Sequence, residues 1–241
     1  MGEVMARTSM GGRLYRMFSY WMNRLPGGLG VASVGSSAVF GAISGVSVAG
    51  AATIGRVAIP QMLERGYAPS LAGGTVAAAG ALALLIPPSI GFVLYGEVAG
   101  QSVGKLFVAA ILPALLLTAM MMIYVTLVGV LRPHMAPVET ARVSWRDRFA
   151  VLRDIWAAIV IILLVLGTIY LGIATPTEAA GIGALGAFVV AAFYRELSLQ
   201  TVLESLRSTA ITSGMILLIL ASALLFGYII TRLMVPQKLA C

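Results

Sequence analysis

The sequence predicts an all-α membrane protein, a polytopic helical bundle with a re-entrant helical hairpin and a Pro-Pro-broken helix. Three observations predict it. Hydrophobic residues fill 60% of the 241 positions and charged residues only 10%, with a mean hydropathy of +0.99. A soluble domain carries about a quarter charged residues, so this chain cannot cover a water-facing surface. Second, the apolar runs are continuous rather than alternating. In lipid every backbone N–H and C=O must be paired internally, and continuous runs select helices over a barrel. Third, two of the runs are too long for one straight helix and carry breaking residues.

The uncharged runs are 25–55, 66–96, 106–131, 155–177, 179–194 and 208–231. A simple span needs about 20 residues. Runs 106–131, 155–177 and 208–231 fit one span each. Run 179–194 is short and spans if Glu178 and Arg195 sit at the two interfaces. Run 25–55 is crowded with small residues, Gly27 to Gly50, which lets backbones approach closely and predicts a break in its middle. Run 66–96 contains Pro87-Pro88. A proline pair removes two donors and clashes with the preceding turn, so the helix stops or unwinds there.

Ahead of the first run, Leu14, Met17, Phe18 and Trp21 recur at helical spacing with Arg13, Arg16 and Arg24 between them. This pattern predicts an amphipathic helix lying in the membrane interface. Trp156 and Tyr170 fit the positions of interfacial anchors at the two ends of one span.

The net charge of +7 is distributed between the apolar runs, as the positive-inside rule requires, and needs no nucleic-acid partner. Arg132, Arg142, Arg146, Arg148 and Arg153 crowd the connection 132–154, which places it in the cytoplasm. Alternating outward, and treating 25–55 as a hairpin that enters and leaves on one side, puts 13 of the 16 basic residues inside. A single crossing at 25–55 would weaken that asymmetry.

Enzyme chemistry finds little footing. The sole histidine, His134, stands in the basic connection, and none of the nine carboxylates lies deep in an apolar run. No acid pair, nucleophile–base pair or metal-ligand cluster follows from spacing. The glycines lack a strand–loop–helix context and a Walker lysine, so nothing points to ATP. The single cysteine, Cys241, forms no disulfide framework. No cofactor is implied beyond a coupling cation.

What remains is the pair of broken segments. Secondary transporters coordinate Na⁺ with unwound backbone carbonyls and face half-helix N-termini toward anionic substrates. The candidate sodium and substrate residues are Ser44, Gly45, Val46 and Ser47 at the hairpin tip, and Pro87, Pro88 and Ser89 at the second break. Serine hydroxyls and freed carbonyls are hard oxygen ligands. The same serines serve equally well in helix–helix packing, whereas a proline break at membrane depth demands a partner.

At these residues the chain resembles a known family. Gly41-Ala42-Ile43-Ser44-Gly45-Val46-Ser47-Val48-Ala49 followed by Thr53-Ile54-Gly55 resembles the hairpin motif of the large permease subunits of tripartite ATP-independent periplasmic (TRAP) transporters, the DctM-like proteins. Ile59-Pro60, Arg65-Gly66-Tyr67, Leu85-Ile86-Pro87-Pro88-Ser89-Ile90, Leu94-Tyr95-Gly96, Thr175-Pro176-Thr177-Glu178-Ala179-Ala180 and Phe193-Tyr194-Arg195-Glu196-Leu197 follow in the family's order. Val46 departs from the pattern, which usually has a second serine there. Met1-Gly2-Glu3 resembles the interior of the family pattern, and the chain stops at Cys241 before a second hairpin, so the expectation is a fragment holding one half of an inverted repeat.

The resemblance implies the transport subunit of a sodium-driven, elevator-type importer of organic acids such as C4-dicarboxylates. It implies a multi-pass protein of the bacterial inner membrane, a small membrane subunit and a periplasmic substrate-binding protein as partners, and no nucleic acid. Residues 1–24 form the interfacial segment and 25–96 the transport-domain part. Residues 97–196, with the cytoplasmic loop 132–154, are largely scaffold. Residues 197–241 lead toward the missing repeat, without which the chain alone should not drive coupled uptake. Two rival readings are another sodium-coupled anion carrier of similar architecture and an inactive truncated membrane protein.

Overall fold

The computed structural model describes residues 1–137 and 143–234. Arg142, Lys238 and Cys241 lie outside them. The described residues form eleven α-helices, with no strand among them. They divide into two units, 1–197 and 198–241.

The first unit is built on a helical hairpin. α3 (Gly28–Ser44) and α4 (Ser47–Glu64) meet at Gly45 and Val46. Gly45 has φ +64°, and its N–H bonds to the Gly41 carbonyl at 2.7 Å, so the chain leaves α3 through a left-handed residue that glycine adopts without a Cβ penalty. Close contacts fix the direction of the pair. A Cβ on Gly50 would stand 3.8 Å from the Phe40 ring, and Ser33 Oγ reaches Met62 Sδ at 3.5 Å. Residue numbers fall along α3 as they rise along α4, so the two helices are antiparallel. The open end is tied by the Leu29 N–H donating to the Tyr67 hydroxyl, 3.3 Å.

α5 (Pro69–Ala81) continues into a 3-10 turn, Leu82–Leu84. It runs back along α4 through small residues: a Cβ on Gly80 would come within 2.5 Å of Ala51 Cβ, and one on Gly55 within 3.2 Å of Val76. The Gly41 backbone lies equally close to Ala83. α6 (Ile90–Ala99) follows the prolines, and α7 (Val103–Leu131) packs on α3, where Gly27 meets Gly129 and Gly35 meets Met122. The run of small residues in α3 is thus a packing surface on several sides.

α1 (Gly2–Ala6) and α2 (Met10–Met22) precede the hairpin. Met10, Leu14, Tyr15 and Met17 of α2 are buried, and α2 packs on α3 and α4. The apolar stripe is therefore occupied by protein, and Arg16 and Trp21 remain exposed. α8 (Trp145–Leu152) packs on α2, while α9 (Trp156–Tyr170) and α10 (Pro176–Phe193) form an antiparallel pair with Gly183 against Val165. Thr175 and Glu178 cap α10 reciprocally, each side chain bonding the other's backbone N–H. The second unit is described by α11 (Leu199–Arg232), 34 residues long with its apolar side chains exposed.

Among the described residues three helices are long and apolar enough to cross a membrane: α7, α10 and α11. The bent pair α8–α9, with 41° between its parts, makes a fourth if counted as one span. Two boundaries differ from the sequence reading. α4 runs on to Glu64, through exposed Arg56 and through Pro60. Its charged residues face outward, so they do not interrupt the helix. α9 stops at Tyr170, because Gly172 turns the chain at φ +69° and the Ile173 and Ala174 N–H groups both bond back to the Thr168 carbonyl.

Candidate functional site

The C-terminal end of α3, the N-terminal end of α4, the 3-10 turn and the start of α6 converge. A Cβ on Gly45 would stand 2.9 Å from the Pro88 carbonyl oxygen, 3.6 Å from the Ile90 nitrogen and 3.7 Å from Ser89 Cα. The two breaks, 42 residues apart between Gly45 and Pro87 in sequence, therefore form one junction. α1 closes another side: a Cβ on Gly2 would lie 2.8 Å from Ser44. Nothing in the sequence singled out Gly2.

The candidate residues divide by what their groups already do. Ser89 donates to the Leu84 carbonyl at 2.7 Å and accepts from the Gly91 N–H at 3.2 Å. It splices the 3-10 turn to the N-terminus of α6 across the two prolines, which have no N–H to give. Ser44 is buried, and among the described residues its hydroxyl has only long contacts of 3.5 Å, to the Val46 N–H and C=O. Val46 caps α4 in extended conformation with no side-chain acceptor. Ser47 is half-buried in the first turn of α4, and its hydroxyl makes no hydrogen bond to the described residues. Pro87 is buried and Pro88 half-buried. By contrast Ser33 and Ser36 bond back to Leu29 and Ala32 carbonyls within α3, so these two serines belong to the helix.

The electrostatics follow from helix ends. Two N-termini, those of α4 and α6, begin at the junction and carry partial positive charge. The C-terminus of α3 ends there and carries the opposite sign, and the Gly45 N–H occupies one of its last carbonyls, that of Gly41. Among the described residues no group of three His, Cys, Asp or Glu side chains gathers, and Ser44 to Ser47 and Pro87 to Ser89 themselves offer carbonyl and hydroxyl oxygens. Such an arrangement suits a monovalent cation and an anionic solute together.

A second cluster ties α2 to α8–α10. Arg13 pairs with Asp154 at 3.4 Å, and its guanidinium lies 4.3 Å from the Tyr194 ring centroid. The Ser9 N–H donates to Glu196 at 2.7 Å. Burial raises the Tyr194 phenol above its usual range, with Arg13 opposing the shift, so it remains a donor and reaches the Asp154 carbonyl at 3.4 Å.

The family description "Tripartite ATP-independent periplasmic transporter, DctM component" matches residues 1–241. The chain belongs to this family. It is 38% identical over 240 residues to the isethionate TRAP transporter permease protein DctMQ of Oleidesulfovibrio alaskensis, a match covering 99% of this chain and 38% of that protein. It is 35% identical over 240 residues to the C4-dicarboxylate TRAP transporter large permease protein DctM of Pseudomonas aeruginosa, covering 99% of this chain and 56% of the other. With the ectoine TRAP transporter large permease protein TeaC of Halomonas elongata it shares 32% identity over 241 residues, 98% and 55% of the two chains. The chain thus spans about half the length, or less, of these relatives. They are named as transporter permeases, not enzymes, and the family is a membrane transport family.

Proposed function

We propose that the chain is part of the large permease subunit of a sodium-driven TRAP importer of organic acids in the bacterial inner membrane. The relatives' names, which give isethionate, C4-dicarboxylate and ectoine, support a carboxylate or sulfonate solute class. A small membrane subunit and a periplasmic binding protein would complete the transporter. Residues 25–96 form the transport-domain part, with α3–α4 as a re-entrant hairpin open to the cytoplasm, and 97–196 are largely scaffold. Residues 1–24 lie at the interface and 197–241 lead out of this half.

The observation that carries the reading is the junction of Gly45 with Pro88. Carbonyls at the end of α3 and at Pro88, with the hydroxyls of Ser44 and Ser47, supply oxygens for Na⁺. The N-termini of α4 and α6 favour the anionic group of the solute. Ser89 holds the second break in shape. In the competing account, water and internal hydrogen bonds satisfy these groups with no ion. Uptake in proteoliposomes holding the complete transporter separates the two. The proposal expects accumulation of a labelled carboxylate only with an inward sodium gradient and a loaded binding protein. Equal accumulation with potassium in place of sodium would refute it.

A further inference from the structure

The helical spacing of α8 sorts its side chains onto distinct faces. Arg148 and Val151 are buried, the former donating to Asn23 Oδ1 at 2.8 Å. Trp145, Phe149 and Leu152 recur at i, i+4 and i+7 and form an apolar edge beside that buried face. They are exposed, the two rings at 59% and 60%. Arg146 and Arg153, also exposed, share one face of the helix along the other side of the rings. Asp147, the acid of α8, falls on the side away from the rings.

The rings are held in place from beneath. Trp145 stacks on Phe149 with centroids 6.3 Å apart, and Phe149 meets Trp21 of α2 edge-on at 6.2 Å. The Arg148 guanidinium lies 5.1 Å from the Trp145 ring centroid, and its carbonyl accepts from Trp21 Nε1 at 3.3 Å. Exposed rings of two helices thus make one ordered surface. Trp145 Nε1 bonds to none of the described residues, which leaves an indole donor for an acceptor outside them.

The position of α8 says what covers this surface. α8 leads into α9 through a bend of 41°. α9 has 15 residues, all uncharged. That is about 22 Å of helix against about 30 Å of hydrocarbon, so α9 does not carry α8 clear of the bilayer. Exposed Trp and Phe flanked by Arg are the composition of the membrane–water boundary, and anionic headgroups attract basic side chains there. α2 cannot supply the surface by itself. Its own apolar stripe is covered by α3 and α4, and Trp21 is the one exposed member.

We infer that α8 seats Trp145, Phe149 and Leu152 in the headgroup–acyl boundary of the bilayer, with Arg146 and Arg153 on anionic lipid headgroups. The seating is independent of sodium coupling and of transport, so its test reads neither. The chain is reconstituted into vesicles of phosphatidylcholine with and without phosphatidylglycerol. Trp21→Phe/Trp156→Phe leaves Trp145 as the sole tryptophan of the three. Should that variant not fold, the native chain compared with Trp145→Phe gives the same reading by difference. Bromine placed near the headgroup end of the acyl chains should quench Trp145 more than bromine near their ends. Acrylamide in the water should quench it less than it quenches free tryptophan. Full acrylamide quenching without bromine quenching would put the rings in water, and protection from both would mean that protein covers them; either result overturns the seating. Phosphatidylglycerol brominated at the shallow position should quench Trp145 in preference to phosphatidylcholine. That preference should fall about fivefold for each of Arg146→Gln and Arg153→Gln. Both side chains are exposed, so these variants spare the core. A preference unchanged in the double variant overturns the role of the two arginines.

Discussion

Replacing Gly45 by alanine should be among the most costly single-methyl changes in this half of the molecule. Two penalties act together. Gly45 holds φ +64°, and an L-residue pays about 1–2 kcal/mol in that region. The added Cβ would also stand 2.9 Å from the Pro88 carbonyl oxygen, a backbone atom that must shift to make room. Overpacking of that kind costs about 1–3 kcal/mol. The sum is roughly 2–5 kcal/mol. Gly73→Ala is the control: it adds the same methyl to α5 with nothing within 4 Å, and should gain about 0.5–1 kcal/mol from helix propensity. Equilibrium unfolding in mixed micelles, followed by helical circular dichroism, reads both. A Gly45→Ala stability within about 0.5 kcal/mol of Gly73→Ala would refute the convergence of the two breaks.

Other consequences follow from the same geometry. Ser89→Ala removes both the bond to Leu84 and the cap of α6, and should cost about 1–2 kcal/mol in the same unfolding assay. Asp154→Asn should cost less than about 1 kcal/mol, since the pair with Arg13 is 29% exposed on both sides. Arg13→Ala should cost more than Asp154→Asn, because it also removes the contact with the Tyr194 ring and the bond to Ser9 Oγ; equal losses would mean that the ion pair is all that matters. In a background without Cys241, single cysteines at Arg24 and Glu64 should label from the same, cytoplasmic side with a membrane-impermeant thiol reagent. Labelling from opposite sides would make α3–α4 a crossing instead of a hairpin.

Much of this architecture was legible in residue types that act locally. Gly45 and the Pro87-Pro88 pair mark the two breaks because each alters backbone geometry whatever surrounds it. Thr175 and Glu178 carry the start of α10 in a four-residue capping box, a local signal that the run boundaries at 177 and 179 passed over. Features set by tertiary packing were harder to read. The charges at Arg56 and Glu64 suggested that the first run ended at Gly55, yet they lie on the exposed face of a helix that continues. The α2 stripe at Leu14 and Met17 has the spacing of an interfacial helix, and only three-dimensional contact shows that α3 and α4 cover it. Arg148 looked like its four basic neighbours in the connection. Its burial depends on Asn23, 125 residues away, and no local pattern encodes that.

Ser47 decides whether the joined breaks hold a cation during transport. In the complete transporter, Ser47→Ala deletes one hydroxyl oxygen that has no partner among the described residues, while leaving the Gly45–Pro88 contact in place. Losing one oxygen ligand is worth about 1 kcal/mol, so the sodium concentration for half-maximal uptake should rise about fivefold. Substrate capture by the binding protein should stay unchanged. An unaltered sodium dependence in a variant that still transports would contradict the assignment and leave Ser47 as a packing residue.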